Sequence, residues 1–351
     1  MLATPAPAEP LRVATYNTEL SRRGPGILLG DALSERDDQV EAVARVIAET
    51  APDIIVLQGI DWDMQNATLS ALAGRVAAHG HPLPHAFAAQ PNAGMRTGLD
   101  HDGDGRTTGW RDAQGFGRFT GAGGMAVLSR FPVRGEAVRD FSTLLWADLP
   151  GADLPVVNGD LFPNPQIYDV QRLSSVAHWD VLIDGPDGPL HLLTWHATPP
   201  VFDGPEDRNG RRNADEAALW VHYLNNALPT PAPDGPLIVL GDANLDPEDG
   251  DGKRWAVDAL LNHPRLTPAA PRSAGGVAAA NAGHRGDPAL DTADWDDEGP
   301  GNLRVSYVLP SRDFRVLNSG VVWPAPGEDG AELVATASRH RLVWVDLELQ
   351  R

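Results

Sequence analysis

The run Leu237-Ile-Val-Leu240 ends on Gly241 and releases Asp242 and Asn244 two residues apart. Four uninterrupted apolar residues predict a short buried strand, and the glycine lets the backbone come close to whatever lies beyond it. Strand side chains alternate, so Asp242 and Asn244 share one side if the extended backbone continues. A carboxylate beside an amide at a strand end suits a divalent cation, a water nucleophile or one phosphate oxygen. The same pair also fits a strand that runs into an Asx turn.

The rest of the chain supplies layers for this strand. Leu11 to Tyr16 alternates and predicts a strand ending at Asn17. Within Arg36 to Thr50, Val40, Val43, Ala44, Ile47 and Ala48 recur at helical spacing, and Pro52 follows. Asp53 to Gln58 is then an apolar strand. This strand–helix–strand opening predicts a layered α/β arrangement.

Later strands are expected at Met125 to Ser129, Arg172 to Ile183, Leu190 to Trp195, Arg304 to Leu309, Arg315 to Val322 and Arg341 to Leu347. Helices are expected over Asn213 to Leu228 and Asp251 to Asn262. The Gly- and Asp-rich stretch 90–124 and the Pro- and Gly-rich stretch 149–165 exceed the ~12–15 residues usual for structureless connections, which marks them as candidate binding loops. No repeat or linker divides the chain. Residues 11–351 therefore read as one domain behind a flexible tail, residues 1–10.

Charge narrows the partners. The formal net charge is −20 across 351 residues. Such a surface repels polyphosphate backbones, so tight binding to long duplex nucleic acid is not expected. There are no cysteines, which excludes disulfides, thiolate metal sites and a cysteine nucleophile. No apolar run approaches the ~18 residues of a membrane span. The first ten residues lack the basic and apolar regions of a signal peptide. They read equally as the stub left by a trimmed one or as a cytosolic tail.

The strand-end motifs arrive in a particular order. Tyr16-Asn17 is followed by Pro52-Asp-Ile-Ile-Val-Leu-Gln58, Met125-Ala-Val-Leu-Ser-Arg-Phe-Pro132 and Trp195-His196-Ala-Thr-Pro-Pro200. Gly241-Asp242-Ala-Asn244, Arg304-Val-Ser-Tyr307 and Ala337-Ser-Arg-His340 complete the series. The series resembles the endonuclease/exonuclease/phosphatase superfamily from about Leu11 to Leu347, and is most similar to a bacterial, often exported subgroup.

The resemblance implies a four-layer α/β sandwich: two mixed β-sheets packed face to face with helices outside. It also implies in-line hydrolysis of a phosphoester by water with Mg²⁺ or Mn²⁺. By the same resemblance, His196 contacts the phosphate, Asp242 orients the attacking water, and Asn244 is its amide partner. His340 faces the phosphoryl group, and Asn17 lies beside the metal. The chemistry is coherent, because the transition state's negative oxygens need surrounding donors and the water needs a proton acceptor.

Three positions depart from the superfamily pattern. Gly59 stands where a metal-binding glutamate is usual, Ser306 where an aspartate orients the last histidine, and Arg339 replaces the aspartate of Ser-Asp-His. Asp61 and Glu19 are candidate substitutes for the missing ligand. Alternatively, Arg339 brings positive charge to an anionic substrate or pairs with surface acids, or the chain is catalytically silent.

The acidic loop Asp100-His-Asp102-Gly-Asp104-Gly105 matches the first half of an EF-hand-type calcium loop. The twelfth position is Arg111, and Asp112 follows as a candidate closing ligand. Asp246 to Asp251 is expected to complement the dipole of the helix behind it. Arg208, Arg211 and Arg212 are expected in a loop leading into a helix, tied up in internal salt pairs. His178 is expected on an exposed strand face. The tryptophans are expected in the core, because no basic residues interleave with them.

Together these readings predict a phosphoester hydrolase acting on a small molecule or short nucleic acid, with the chain expected as a monomer. The alternative is a silent calcium-binding module on the same sandwich. A secreted or periplasmic location is expected, with the cytoplasm as the alternative.

Overall fold

The computed structural model describes residues 10–350. The expected tail lies outside them except for Pro10. The strands are β1 (Leu11–Asn17), β2 (Ile54–Ile60), β3 (His85–Phe87), β4 (Gly124–Ser129), β5 (Arg139–Asp140), β6 (Val156–Val157), β7 (Asp160–Leu161) and β8 (Ala177–Gly185). They continue as β9 (Gly188–His196), β10 (Leu237–Asp242), β11 (Ala293–Asp294), β12 (Asn302–Leu303), β13 (Ser306–Pro310), β14 (Phe314–Val321) and β15 (Val343–Leu349). The helices are α1 (Ile27–Ser34), α2 (Asp38–Thr50), α3 (Ala67–Ala78), α4 (Arg208–Leu224), α5 (Trp255–Leu261), α6 (Ala274–Ala278) and α7 (Ala331–Ala337).

One sheet has the order β14-β15-β1-β2-β4-β3 and the other β13-β10-β9-β8-β5. Both are mixed: β1 and β2 run parallel, as do β9 and β10, while the remaining neighbours are antiparallel. Strands β6 and β7 pair only with each other, as do β11 and β12.

Strand alternation sorts side chains into separate cores. Val13, Ile54, Val56, Met125 and Val127 of the first sheet meet Val181, Leu192, Ile238, Leu240 and Val308 of the second. The intervening residues Tyr16, Ile55, Leu57 and Leu128 face α1, α2, α3 and α7. Leu193, Trp195, Leu237 and Val239 face α4 and α5. These three apolar interfaces make the four expected layers. No helix among the described residues is long and apolar enough to cross a membrane.

Local chemistry accounts for the elements. Asp37 caps α2 by accepting from the Val40 N–H, and the helix stops at Ala51 in the left-handed region. Helix α4 starts at Arg208, earlier than expected, because its buried polar residues Arg212, Asn213, Asp215 and Glu216 hide the apolar period. Strand β8 starts at Ala177 rather than Arg172, because the Ser175 N–H is taken by the Glu216 carboxylate instead of a neighbouring strand. Helices α1, α3 and α7 fall where no helix was expected. None is capped by the side chain of its own N-cap residue, although Asp63 accepts from the Ala67 and Thr68 N–H groups at the start of α3.

Four tryptophans, Trp146, Trp179, Trp195 and Trp220, are fully buried, as core residues should be. His178 corrects its expectation. It is wholly buried, between the Ser174 hydroxyl and the Glu216 carbonyl, and burial drives its pKa down to about 3.

The face between the sheets carries the greatest density of large aliphatic side chains. Replacing Leu240 by Ala there should destabilise the protein by about 2–5 kcal/mol, measured by urea unfolding. A loss below about 1 kcal/mol would show that this layer is not close-packed.

Candidate active site

The rows of side chains that line the inter-sheet core turn polar at one end. Along β1 the row runs Leu11, Val13, Thr15, Asn17; along β10 it runs Ile238, Leu240, Asp242; along β9 it runs Leu190, Leu192, Thr194, His196. Asp242 lies in register with His196 on one side and Ser306 on the other. A single parity rule therefore delivers four polar residues to the same end of the sandwich.

Asp242 has no exposed surface and is the hub of the cluster. Its Oδ2 accepts from Asn17 Nδ2 at 2.7 Å, and its Oδ1 accepts from the Asn244 N–H at 3.0 Å. His340 Nδ1 lies 3.4 Å from Oδ2, and His196 Nε2 lies 3.9 Å away. His340 Nε2 is also 3.4 Å from Asn17 Nδ2. Asn17, His196, Asp242 and His340 are thus brought together from four distant segments.

Asn244 reaches Asp242 through its backbone only. Its side-chain amide donates to the Ala197 carbonyl, which ties the end of β9 to the end of β10. His340 stands edge-on to Trp295, with ring centroids 5.2 Å apart. Burial lowers the pKa of His196, with Asp242 opposing and His340 adding to the shift. The Nδ1 atoms of both histidines and the Ser306 Oγ are buried without hydrogen-bond partners, so unmet polar groups gather at this end of the sandwich.

The two candidate replacement ligands are held elsewhere. Asp61 accepts from the Ser21 hydroxyl, the Arg22 N–H and the Gly123 N–H, so its carboxylate anchors the loop after β1. Glu19 makes a bidentate ion pair with Arg339, and its Oε2 lies 3.2 Å from Ser338 Oγ. Arg339 is accordingly the partner of an acid.

Gly59 is the extra residue of a β-bulge in β2, with φ +72°. A Cβ there would lie 2.6 Å from Asn17 Oδ1 and 2.9 Å from the Glu19 nitrogen. The space a longer side chain would need is already filled.

These donors do not fit the Mg²⁺ or Mn²⁺ centre that the resemblance implies. Hard cations are held by several oxygen ligands, usually including more than one carboxylate. Here one carboxylate is present, with both oxygens engaged, and the Asn17 amide oxygen accepts from the Glu19 N–H. Among the described residues, only Asp100, Asp102 and Asp112 form a group of three acidic or histidine ligands whose donor atoms all lie within 4.8 Å of one another.

In that acidic loop Asp112 is buried and Asp100 and Asp102 are half-buried. Asp104 stays outside the group and accepts from the Arg106 N–H. The later acidic run also departs from its expectation. Asp246 accepts from Glu248, Asp249 and Arg304, and Asp249 from Arg285 and Gly286, so both brace loops rather than the start of α5. The expected arginines begin α4 and tie down loops: Arg208 donates to the His101 carbonyl, Arg211 to Asp153, and Arg212 to the Leu173, Gln114 and Arg172 carbonyls.

Sequence reasoning missed the support beneath the site. Glu216 of α4 has no exposed surface. It accepts from the Ser175 N–H and hydroxyl and from the Thr198 N–H, two residues past His196. Asn213, one turn earlier, donates to the carbonyls of Thr198 and Ala243. The available signal was a charged pair, Asp215-Glu216, embedded in the apolar run from Ala214 to Trp220.

Burial pushes the Glu216 pKa up to about 7, against the pull of Arg212 and the two N–H donors. Because the folded value exceeds the unfolded one, this carboxyl's contribution to stability is full below about 4.5 and is lost as pH rises through 7. Glu216→Gln should flatten stability between pH 5 and 7.5, removing a slope worth on the order of 3 kcal/mol in melts across that range. An unchanged slope would mean that Glu216 does not titrate there.

The sequence profile described as the Endonuclease/Exonuclease/phosphatase family matches residues 14–340. Comparison with curated proteins finds no match. Among solved structures, the endonuclease/exonuclease/phosphatase from Beutenbergia cavernae DSM 12333 is 19% identical, with a TM-score of 0.55 over 97% of this chain and 72% of that one. The family protein from Leptotrichia buccalis C-1013-b is 14% identical, with a TM-score of 0.54 over 97% and 100%. A third, from Bacteroides thetaiotaomicron, is 15% identical, with a TM-score of 0.50 over 98% and 100%. At these identities the structural likeness establishes the fold. With its four-layer architecture and a profile match over nearly its whole length, the chain belongs to the Endonuclease/Exonuclease/phosphatase family.

Proposed function

We propose that this protein hydrolyses a phosphoester bond at the cluster around Asp242. The observation that carries this reading is the convergence of Asn17, His196 and His340, from three separate segments, on one fully buried carboxylate. Such a site costs stability, because buried unpaired polar groups are unfavourable, and that cost supports a use for it.

In this reading Asp242 accepts the proton of a water as the water oxygen bonds to phosphorus. The P–O bond to the leaving alcohol breaks, and the departing oxygen takes a proton from solvent. His196 and His340 offer N–H groups to the phosphoryl oxygens as their charge grows. His196, the most open of the four with 15% of its side chain exposed, marks the approach. Asn17 has to turn from Asp242 for water to reach the carboxylate. The net charge of −20 favours a small or exposed phosphoester over long duplex DNA.

Turnover is measured with bis-p-nitrophenyl phosphate and short oligonucleotides. Asp242→Ala should lower it by about 10²–10⁴-fold in protein shown to be folded by circular dichroism. His196→Ala should lower it by about 10²–10³-fold. Activity surviving both substitutions would remove this cluster from consideration.

The second reading, a silent calcium-binding module, is favoured by the acidic loop alone. The Asp100, Asp102 and Asp112 donor atoms lie within 4.8 Å of one another, close enough to share one ion. Ca²⁺ should therefore raise the melting temperature of the wild-type protein but not that of Asp102→Ala. A calcium response without any turnover would select this reading.

A further inference from the structure

We propose that the Asp242 site is assembled without a resident divalent cation, its place being taken by an internal ion pair and an amide. This inference rests on the phosphoester reading for its ligand, a phosphate-class oxyanion, but its structural part stands apart from turnover.

Four observations converge. The bulge at Gly59 leaves no room for a longer side chain, because Asn17 Oδ1 and the Glu19 backbone crowd that point. Ser338 Oγ donates to the Asn17 carbonyl at 2.9 Å and lies 3.2 Å from Glu19 Oε2, while the Arg339 guanidinium and N–H hold the same carboxylate. The end of β1 is thereby stitched to the segment carrying His340, a junction that metal ligation would otherwise make. Ser306, across from Asp242, adds no charge. Asp61 is committed to three donors on neighbouring loops.

The charges agree with this arrangement. Carboxylates drawn together around a cation repel one another without it. Here Glu19 is neutralised by Arg339, and Asp242 is satisfied by hydrogen bonds from Asn17 and the Asn244 backbone. The cluster has no uncompensated group of carboxylates for a cation to relieve. An arriving oxyanion would be met directly by the imidazoles of His196 and His340.

The test uses the full chain after exhaustive chelation. Mn²⁺ is titrated and its free fraction read by electron paramagnetic resonance, with the wild type compared to Asp242→Asn. Identical Mn²⁺ uptake by the two proteins is expected. Uptake by the wild type that Asp242→Asn loses would overturn the proposal, whether or not the protein turns over any substrate.

A second variant keeps the claim exposed. Arg339→Asp frees Glu19 and adds a carboxylate, so it should bind Mn²⁺ at least ~10-fold more tightly than the wild type. Unchanged or weaker Mn²⁺ binding would show that the Glu19–Arg339 pair does not stand in for a metal. Inorganic phosphate supplies the third readout. Its stabilisation of the wild type should be equal in EDTA and in excess Mg²⁺, and a rise seen only with Mg²⁺ would refute metal independence. If phosphate binds in EDTA yet no phosphoester is cleaved, the hydrolase reading falls while this inference stands.

Discussion

A carboxylate with no exposed surface must be satisfied by its neighbours, and Asp242 draws on both sheets to achieve it. Asn17 comes from the first sheet, and the Asn244 backbone from the loop that leaves the second. The bond between Asn17 and Asp242 crosses the seam of the sandwich, so the position of one sheet relative to the other is read out at this point. An unpaired charge in such a place would cost several kcal/mol. Sheet packing, loop closure and site chemistry therefore share one constraint.

Helix α4 sets the same constraint from behind. Asn213 bridges the segments leaving β9 and β10, and Glu216 fixes the backbone on both sides of the β8–β9 pair. Its carboxylate is buried without a direct salt bridge, and the neighbouring Arg212 guanidinium is spent on three backbone carbonyls. Glu216 accepts from two backbone N–H groups and one hydroxyl, which suits a group that must hold loops rather than react. The histidines and Asp242 then inherit their spacing from a rigid support.

The departures from the family pattern are linked rather than independent. The bulge at Gly59, the turn of the Asn17 amide oxygen towards Glu19, and the Glu19–Arg339 pair occupy one small region. Reverting any one residue would meet the other two. Together they form a closed, charge-balanced junction beside the histidines and the buried aspartate.

Much of this was legible in the chain. Alternation in β1, the uninterrupted apolar runs of β2 and β10 and the helical spacing of α2 gave those elements and a layered α/β arrangement, because they depend only on which residues face an apolar surface. The ordered motifs named Asn17, His196, Asp242 and His340. The helix α4 boundary and the burial of His178 were not legible, since buried polar residues break the pattern that reveals a helix or a covered strand face. Nor could the fates of Asp61 and Glu19 be read, because their partners lie far along the chain or in loops without regular structure. Periodicity is a local property, so the sequence alone determined the longer strands, a layered α/β arrangement and the polar strand ends. The 225-residue span between Asn17 and Asp242 shows why only the tertiary structure decided which carboxylates stand together and which are paired away: electrostatic balance is a property of space, not of order along the chain.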